Sequence, residues 1–297
     1  MLIGIALPSL ASWLRPALTA TVIATLAITL TRLDWSSLSR VARDPRVPLA
    51  MAIWLLVVTP LLTVLITRWL GLSTGLSVAL FLQCASAPVG SAAAFALFVG
   101  VNGERVMILT VLSTVLLPIT LTPLVAWVLW DSGVTIDISS FFFRVCLLVA
   151  APFAIAAIVR RVVGVSTLAN NQSVMAGVNV IALVVFAIAI MDGVNDYLVE
   201  NPTGAFTLLF ASFIAAISLH TSAYIAFRVL SNEAGWVASV ASGSRNMGLM
   251  LAITAGTAGP VSELYFGIAQ IPMYCVPLLV GPLVAWANRS NGPSAGV

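Results

Sequence analysis

The amino-acid sequence predicts an all-α integral membrane protein with nine or ten transmembrane helices, arranged in two inverted five-helix repeats. Three observations favour this fold class: an apolar composition, a regular alternation of apolar segments and charged residues, and an internal sequence repeat. Of the 297 residues, 61% are apolar and only 8% are charged, and the mean hydropathy is +1.11. Soluble domains carry about 25% charged residues. This chain has too little polar surface to face water, so we expect lipid to surround it.

Charged residues divide the chain into apolar segments of membrane-spanning length. All 13 basic residues are arginines, and a span needs about 20 apolar residues. Strands are not expected, because a run such as 180–190 is apolar at every position instead of alternating. The first segment is too short to cross a bilayer and contains Pro8, which predicts a partial helix. Helices are expected near residues 1–13, 14–31, 47–69, 74–99, 105–130, 140–160, 172–192, 204–230, 233–257 and 262–287.

The arginines lie mainly on one side of the predicted spans. Nine fall on that side, two (Arg15 and Arg68) on the other, and Arg144 lies near the second boundary. The positive-inside rule makes the first side cytoplasmic, so both termini are expected in the cytoplasm of a multi-pass protein of the bacterial inner membrane. The nine are Arg32, Arg40, Arg43, Arg46, Arg105, Arg160, Arg161, Arg228 and Arg289. The acids of the opposite loops are Asp131, Asp137, Asp192, Asp196, Glu200 and Glu263.

Composition and cysteine placement argue against several kinds of partner. The net charge of +3 follows from the bias in the loops, so nucleic acid is not an expected partner. Cys84, Cys146 and Cys275 lie inside predicted spans without CxxC spacing. Disulfides, a metal site and a cofactor are therefore not expected.

An internal repeat relates the fifth and tenth predicted helices. Glu104, Pro118, Pro123 and Trp127 match Glu263, Pro277, Pro282 and Trp286 at a constant offset of 159 residues. Each tryptophan ends a Leu-Val-Ala-Trp sequence. A repeat of five helices inverts its second copy, since the number is odd. Inverted repeats are typical of secondary transporters, whose substrate site lies near the midplane where discontinuous helices meet.

The fourth and ninth predicted helices each contain a sequence that interrupts a helix. In the fourth, Gln83, Ser86 and Ser91 accompany Pro88, which lacks a donor, and Gly90, which loosens the backbone. The ninth contains the run Ser242, Gly243, Ser244, Arg245 and Asn246. Under the offset of 159, Ser86 falls on Arg245. Non-helical backbone at this depth persists only where it lines a cavity or is buried in protein, so these residues form the candidate substrate-binding or crossover site. Two kinked helices without a ligand remain the alternative.

Taken in order, four motifs make the chain resemble the bile acid:sodium symporter family. They are residues 87–91, residues 112–123, residues 242–249 and residues 280–286. The resemblance implies a panel of helices one, two, six and seven (1–31 and 140–192) and a core of the other six (47–130 and 204–287). It also implies that helices four and nine cross in the core. In that family the core binds sodium, and an organic anion is carried in the cleft between panel and core.

The sequence departs from the family pattern at the sodium ligands. Ala93 and Ala94 stand where the family has Ser-Asn, Ala241 where it has an acid, and Leu55 where it has a glutamine. Sodium needs oxygen ligands, which methyl groups do not supply. The resemblance therefore implies that sodium coupling of the family type is lost. It also implies that Arg245 lies where a cation binds in relatives.

Arg245 falls near the bilayer centre, where an unpaired arginine costs about 2.5–3.5 kcal/mol. All ten acids map to loops or helix ends, so none is expected beside it. Two interpretations stay open. Its guanidinium donates to helix C-terminal carbonyls as a built-in cation, or it faces the cleft and pairs with a substrate anion.

The other polar side chains in the spans also have two interpretations. His220 is either a hydrogen-bonded packing residue or a proton carrier for coupling. Asn246, Ser244, Ser242, Ser86, Ser91 and Gln83 either contact a substrate or hold helices together.

The sequence predicts a carrier of a small organic anion, with a bile-acid-like, carboxylate or sulfonate group, and leaves its coupling open. A proton- or sodium-coupled symporter with unusual ligands, a channel, and a non-transporting sensor on the same fold remain alternatives. A channel is disfavoured, since no charge ring or carbonyl filter motif is visible. An enzyme is not expected, because the chain has one histidine and no carboxylate within a span.

Overall fold

The chain folds into α-helices in the part that the structure, a computed structural model, describes: residues 1–33, 35, 44–129 and 137–290. No strand occurs in these ranges, only one isolated antiparallel bridge between Pro88 and Arg245. This confirms the all-helical prediction. The first helices are α1 (Leu2–Ala6), α2 (Pro8–Leu14), α3 (Leu18–Thr31), α4 (Arg46–Ile53), α5 (Thr59–Trp69), α6 (Thr74–Ala85), α7 (Ala92–Phe98), α8 (Gly103–Leu129) and α9 (Ile138–Val163). The remaining helices are α10 (Val165–Asn170), α11 (Gln172–Ala189), α12 (Val194–Glu200), α13 (Pro202–Phe227), α14 (Asn232–Gly243), α15 (Met247–Thr254), α16 (Pro260–Ile268) and α17 (Gln270–Ser290).

Within the described ranges, seven helical segments are long and apolar enough to cross a membrane. Three of the predicted spans are not among them, because their helices are short: residues 1–13, 74–99 and 233–257. The seven are Pro8–Thr31, Arg46–Trp69, Gly103–Val128, Ile138–Val163, Gln172–Glu200, Pro202–Phe227 and Pro260–Ala287. The chain is therefore a multi-span membrane protein.

The first helix boundary differs from the sequence-based prediction. Residues 8–31 form one helical run in which a 3-10 turn, Arg15–Ala17, joins α2 to α3, so no loop separates residues 13 and 14. The break falls at Leu7 instead, whose φ of −125° and ψ of 74° are not helical. Leu7 precedes Pro8, and a proline disfavours the helical conformation of the residue before it.

Arginines join different helices at the two ends of α3 and α11. At one end, Arg32 donates to Gln172 (2.9 Å) and Arg160 donates to the carbonyl of Thr31 (2.8 Å). At the other end, Arg15 donates to Asp192 (2.8 Å) and Glu263 (2.5 Å). Arg40, Arg43 and Asp131, used in the predicted orientation, lie outside the described residues, as does the side chain of Arg289.

Helix α3 packs against both α9 and α11, and the three form one group. Helices α13 and α14 pack along each other as a second group, with α16 and α17 beside α13. Asp137 is the N-cap of α9. Its carboxylate accepts from the main chain of Ser139 (3.0 Å). Side-chain hydrogen bonds from Ser139 and Ser140 lower the pKa of Asp137 to about 2.

Candidate functional site

Two non-helical segments lie between consecutive helices: residues 86–91 between α6 and α7, and residues 244–246 between α14 and α15. Pro88 contributes no main-chain donor to the first segment. In the second, Asn246 caps α15 by accepting from the main chain of Leu249 (3.0 Å). Local sequence thus accounts for where a helix stops and where the next begins.

The two segments pair with each other through their main chains. The amide of Val89 donates to the carbonyl of Ser244 (2.8 Å), and the amide of Asn246 donates to the carbonyl of Ala87 (2.9 Å). These bonds flank the bridge between Pro88 and Arg245. Main-chain groups that leave a helix inside an apolar interior need such partners.

The guanidinium of Arg245 lies at this junction, fully buried, and donates to five oxygen atoms. Nε donates to the carbonyl of Ser242 (2.7 Å). Nη1 donates to the carbonyls of Ser86 (2.6 Å) and Leu55 (3.0 Å). Nη2 contacts the hydroxyls of Thr59 (3.1 Å) and Ser242 (3.4 Å). A guanidinium has five N–H donors, so every one has a partner within the protein. We call the five oxygen atoms that accept from Arg245 the oxygen cluster.

The Leu55 carbonyl is available because the helix around it is wound as a π-turn. In this turn, Trp54–Val58, the amide of Thr59 donates to the carbonyl of Trp54 instead of that of Leu55. With this spacing of five residues, the carbonyl of Leu55 would accept from residue 60. Residue 60 is a proline and has no N–H. The Thr59 hydroxyl (2.8 Å) and Arg245 contact that oxygen instead.

The charge of Arg245 has no acidic neighbour in the part of the chain that the structure describes. Arg245 is the only buried residue there among Arg, Asp and Glu. Buried charges require hydrogen-bonding partners, and here the partners are neutral oxygens. Two of these are the carbonyls of Ser242, in the last turn of α14, and of Ser86, just after α6. Carbonyls at the C-terminal ends of helices carry partial negative charge, which stabilises the guanidinium.

The remaining predicted residues of the first segment make local contacts. The Ser86 hydroxyl donates to the carbonyl of Gln83 (2.9 Å), and the Gln83 side chain accepts from the hydroxyl of Tyr265. Gly90 approaches a neighbouring helix closely, since a Cβ atom there would lie 3.0 Å from Oγ1 of Thr29. The hydroxyls of Ser91 and Ser244 are buried without a hydrogen-bond partner.

The four positions at which the sequence lacks an expected oxygen-bearing side chain differ in their burial. Leu55 is fully buried and joins the oxygen cluster through its carbonyl. Ala241 and Ala93 are buried, whereas Ala94 is exposed. Among the described residues, no group of three or more His, Cys, Asp or Glu side chains is positioned to hold a metal ion.

His220 packs against the end of α14, just before the second segment. Its Nδ1 lies 3.2 Å from the Ser239 hydroxyl. The ring is so close to Gly243 that a Cβ atom at residue 243 would lie 2.0 Å from Nε2 of His220. Glycine at 243 is therefore required by packing. Thr59 was missed by sequence reasoning, although its position just before Pro60 was a usable signal, because a proline frees a carbonyl in the preceding turn.

Helix α3 packs directly on the first segment, and α3 and α11 both pack on the start of α15, just after the second segment. Gly90 meets Thr29 of α3, and a Cβ atom at Gly248 would lie 2.4 Å from the ring of Phe186 and 2.9 Å from Val22. Between α3, α8 and α9 a cavity of only about 10 Å³ remains. That volume holds about one water molecule.

Comparison with known proteins gives one finding. The family model described as Sodium Bile acid symporter family matches residues 19–201, more than half of the chain. A comparison with curated proteins finds no match.

Proposed function

Since this chain belongs to the Sodium Bile acid symporter family, we propose that it is a secondary transporter that moves a small organic anion across the membrane by alternating access. The observation that carries the proposal is the fully buried guanidinium of Arg245 where two non-helical segments meet. It brings a positive charge, with no buried acid among the described residues, to the depth at which such transporters bind their substrates.

We further propose that the fold consists of two inverted five-helix repeats, with a panel (1–31 and 140–192) and a core (47–130 and 204–287). Support comes from the contact between Ser86 and Arg245, which are 159 residues apart. The same offset relates the two copies of the sequence repeat. Equivalent positions that touch each other lie next to the axis relating the two copies.

The substrate class follows from charge and from the surroundings of the segments. In an interior of low dielectric constant, the guanidinium attracts an anion over several ångströms even though its own donors are in use. Val22 of α3 and Phe186 of α11, which pack on Gly248 just after the second segment, are apolar. A carboxylate or sulfonate with an apolar body fits both features.

Transport is proposed to proceed without sodium coupling of the family type. The guanidinium is covalently attached and already binds the oxygen cluster that a free cation would need. A cation that is part of the protein does not cross the membrane, so it cannot couple transport to an ion gradient. Uniport, exchange or proton coupling through His220 are the remaining modes.

Alternating access is supported by the closed contact between the panel and the core. From the side of α3 and α11, a substrate reaches Gly90 and Gly248 only if these two helices move away from them. Two arginines of the panel, Arg15 and Arg144, contact Glu263 and the carbonyl of Ala255 (3.1 Å) in the core. We assign these contacts to the outer side of a bacterial inner membrane, with both termini in the cytoplasm.

The test is uptake of labelled organic carboxylates and sulfonates into proteoliposomes, in sodium buffer and in choline buffer of equal ionic strength. We expect saturable uptake of at least one anion at the same rate in both buffers. Arg245→Lys should reduce uptake, whereas Arg161→Ala, a matched change at an exposed position on α9, should not. Uptake that requires sodium would refute the coupling proposal. Absence of both uptake and thermal stabilisation by every anion would instead favour a sensor.

A further inference from the structure

A groove lies between α13 and α17, with α14 as its floor, and it has a volume of about 460 Å³. It is separate from the junction of the two segments and opens on the surface that faces lipid. Its outer wall is formed by exposed side chains of α17, among them Leu279 (62% exposed) and Leu283 (55%). These residues make the groove apolar along most of its length.

One end of the groove has the features of a membrane interface. Arg228, exposed and just past the end of α13, lines this end together with Tyr224 and Trp286. The guanidinium of Arg228 lies 5.8 Å from the centre of the Tyr224 ring. No carboxylate of the described ranges pairs with it. Trp286 is 70% exposed, and tryptophan and tyrosine are enriched at the level of lipid headgroups.

The other end of the groove is formed by His220 and Ser239. His220 precedes Arg228 by eight residues on α13, which corresponds to about 12 Å along a helix. The groove thus leads from a cation at the interface into the apolar depth of one leaflet. Between Arg228 and His220 the wall formed by α17 is apolar, with Leu279, Val280 and Leu283, so a cation at the interface and an apolar wall lie in the order of a phospholipid headgroup and acyl chain.

We propose that the groove binds one anionic phospholipid of the cytoplasmic leaflet. Arg228 donates to the headgroup phosphate, and an acyl chain lies along Leu279 and Leu283 toward His220. Charge selects the anionic lipid, because the cytoplasmic leaflet carries the anionic headgroups and a nearby arginine attracts them. The lipid site goes beyond the proposed transport function. It rests on the membrane orientation proposed with that function, which puts Arg228 on the cytoplasmic side.

The position of the groove connects lipid binding with the crossover. His220 forms the deep wall of the groove, and on its other side the ring touches Gly243, two residues before Arg245. An acyl chain against this wall holds His220 in place. Lipid in the groove therefore stabilises the arrangement of the second segment.

The experiment compares the purified full-length protein in nanodiscs of dioleoylphosphatidylcholine with nanodiscs that also contain dioleoylphosphatidylglycerol. Retained phosphatidylglycerol is counted by native mass spectrometry, and the Tm is measured in both. We expect one retained phosphatidylglycerol and a higher Tm in its presence. Arg228→Ala should weaken retention about fivefold, the value expected for losing one arginine near a lipid surface. Arg228→Lys should largely preserve retention.

Two further variants separate this groove from general effects of surface charge and bulk. Leu283→Trp fills the groove at an exposed position and should abolish retention. Arg161→Ala and Leu147→Trp place the same changes at exposed positions on α9, outside the groove, and should retain the lipid as the wild type does. Equal retention in Arg228→Ala, Leu283→Trp and the two controls would overturn the proposal, as would equal loss in all four. Neither readout measures transport, so the result is independent of the uptake assay.

Discussion

The two non-helical segments differ in what they contribute to their junction. The segment at residues 86–91 contributes a main-chain oxygen, the carbonyl of Ser86, to the oxygen cluster. The segment at residues 244–246 is half as long and contributes the guanidinium of Arg245. Positions that are equivalent in the sequence repeat therefore carry complementary groups, an acceptor in one copy and a donor in the other.

This difference shows how two similar segments can stabilise each other with unlike groups. Two helix C-terminal ends bring partial negative charge to one place, and the one guanidinium between them stabilises both. A second arginine at residue 86 would place two like charges together. The asymmetry is therefore what the electrostatics of the junction requires, and the following variants test it segment by segment.

Removing the guanidinium is the strongest test. Arg245→Ala removes the five guanidinium donors from the oxygen cluster, and we expect a loss of about 3–5 kcal/mol in the free energy of unfolding. Thermal unfolding in detergent measures it. If the cluster is a cation site that the protein fills itself, low concentrations of methylguanidinium should restore part of the Tm of the variant and leave the wild type unchanged. A Tm equal to that of the wild type would contradict the role of Arg245.

The second test adds one methyl group next to the second segment. Gly243→Ala places a Cβ atom 2.0 Å from the His220 ring, and overpacking of this kind costs about 1–3 kcal/mol. The double variant Gly243→Ala/His220→Ala should recover stability relative to Gly243→Ala, as measured by a double-mutant cycle. Additive losses would mean that the ring does not pack on Gly243.

The third test removes the helix cap of the second segment. Asn246→Ala loses the acceptor for the amide of Leu249, and a lost N-cap costs about 1 kcal/mol. Asn246→Asp keeps an acceptor there and serves as the control, with stability above that of Asn246→Ala. Equal Tm values for the alanine variant and the wild type would show that the cap contributes nothing.

The smallest effect is expected in the first segment. Ser86→Ala removes a hydroxyl that donates only to the carbonyl of Gln83, and it keeps the carbonyl that accepts from Arg245. We expect a loss of about 0.5–1 kcal/mol and unchanged anion uptake. A loss as large as that of Arg245→Ala would mean that side chains of both segments contribute equally, and the asymmetry would be disproved.

Sequence patterns predicted the parts of this molecule that depend on composition and on single unusual residues. Charged residues mark the ends of apolar helices because charge is costly in lipid. Pro88 and Asn246 lie where helices stop or start. The family resemblance agrees with the family model. Arg245 was expected near the bilayer centre. Its two interpretations differed only in whether its guanidinium binds helix carbonyls or a substrate anion.

The remaining features depend on atoms that no side-chain pattern reports. The Leu55 carbonyl joins the oxygen cluster through the path of its main chain, while its side chain gives no hint of polarity. The first helix boundary was placed wrongly between residues 13 and 14. A 3-10 turn, Arg15–Ala17, continues the helix there and accommodates Pro16 among its first residues.

The π-turn at Trp54–Val58 has a consequence for how this chain tolerates length changes. A π-turn contains one residue more than the α-helical turn around it, so it marks the place where an insertion can be absorbed. Deleting one residue between 56 and 58 would restore regular winding and leave α4 and α5 in nearly the same relative orientation. The main-chain path around the Leu55 carbonyl would change, while the composition of the helix would stay nearly the same. Hydropathy would not detect such a deletion, yet it would alter the surroundings of one of the five oxygens of the cluster.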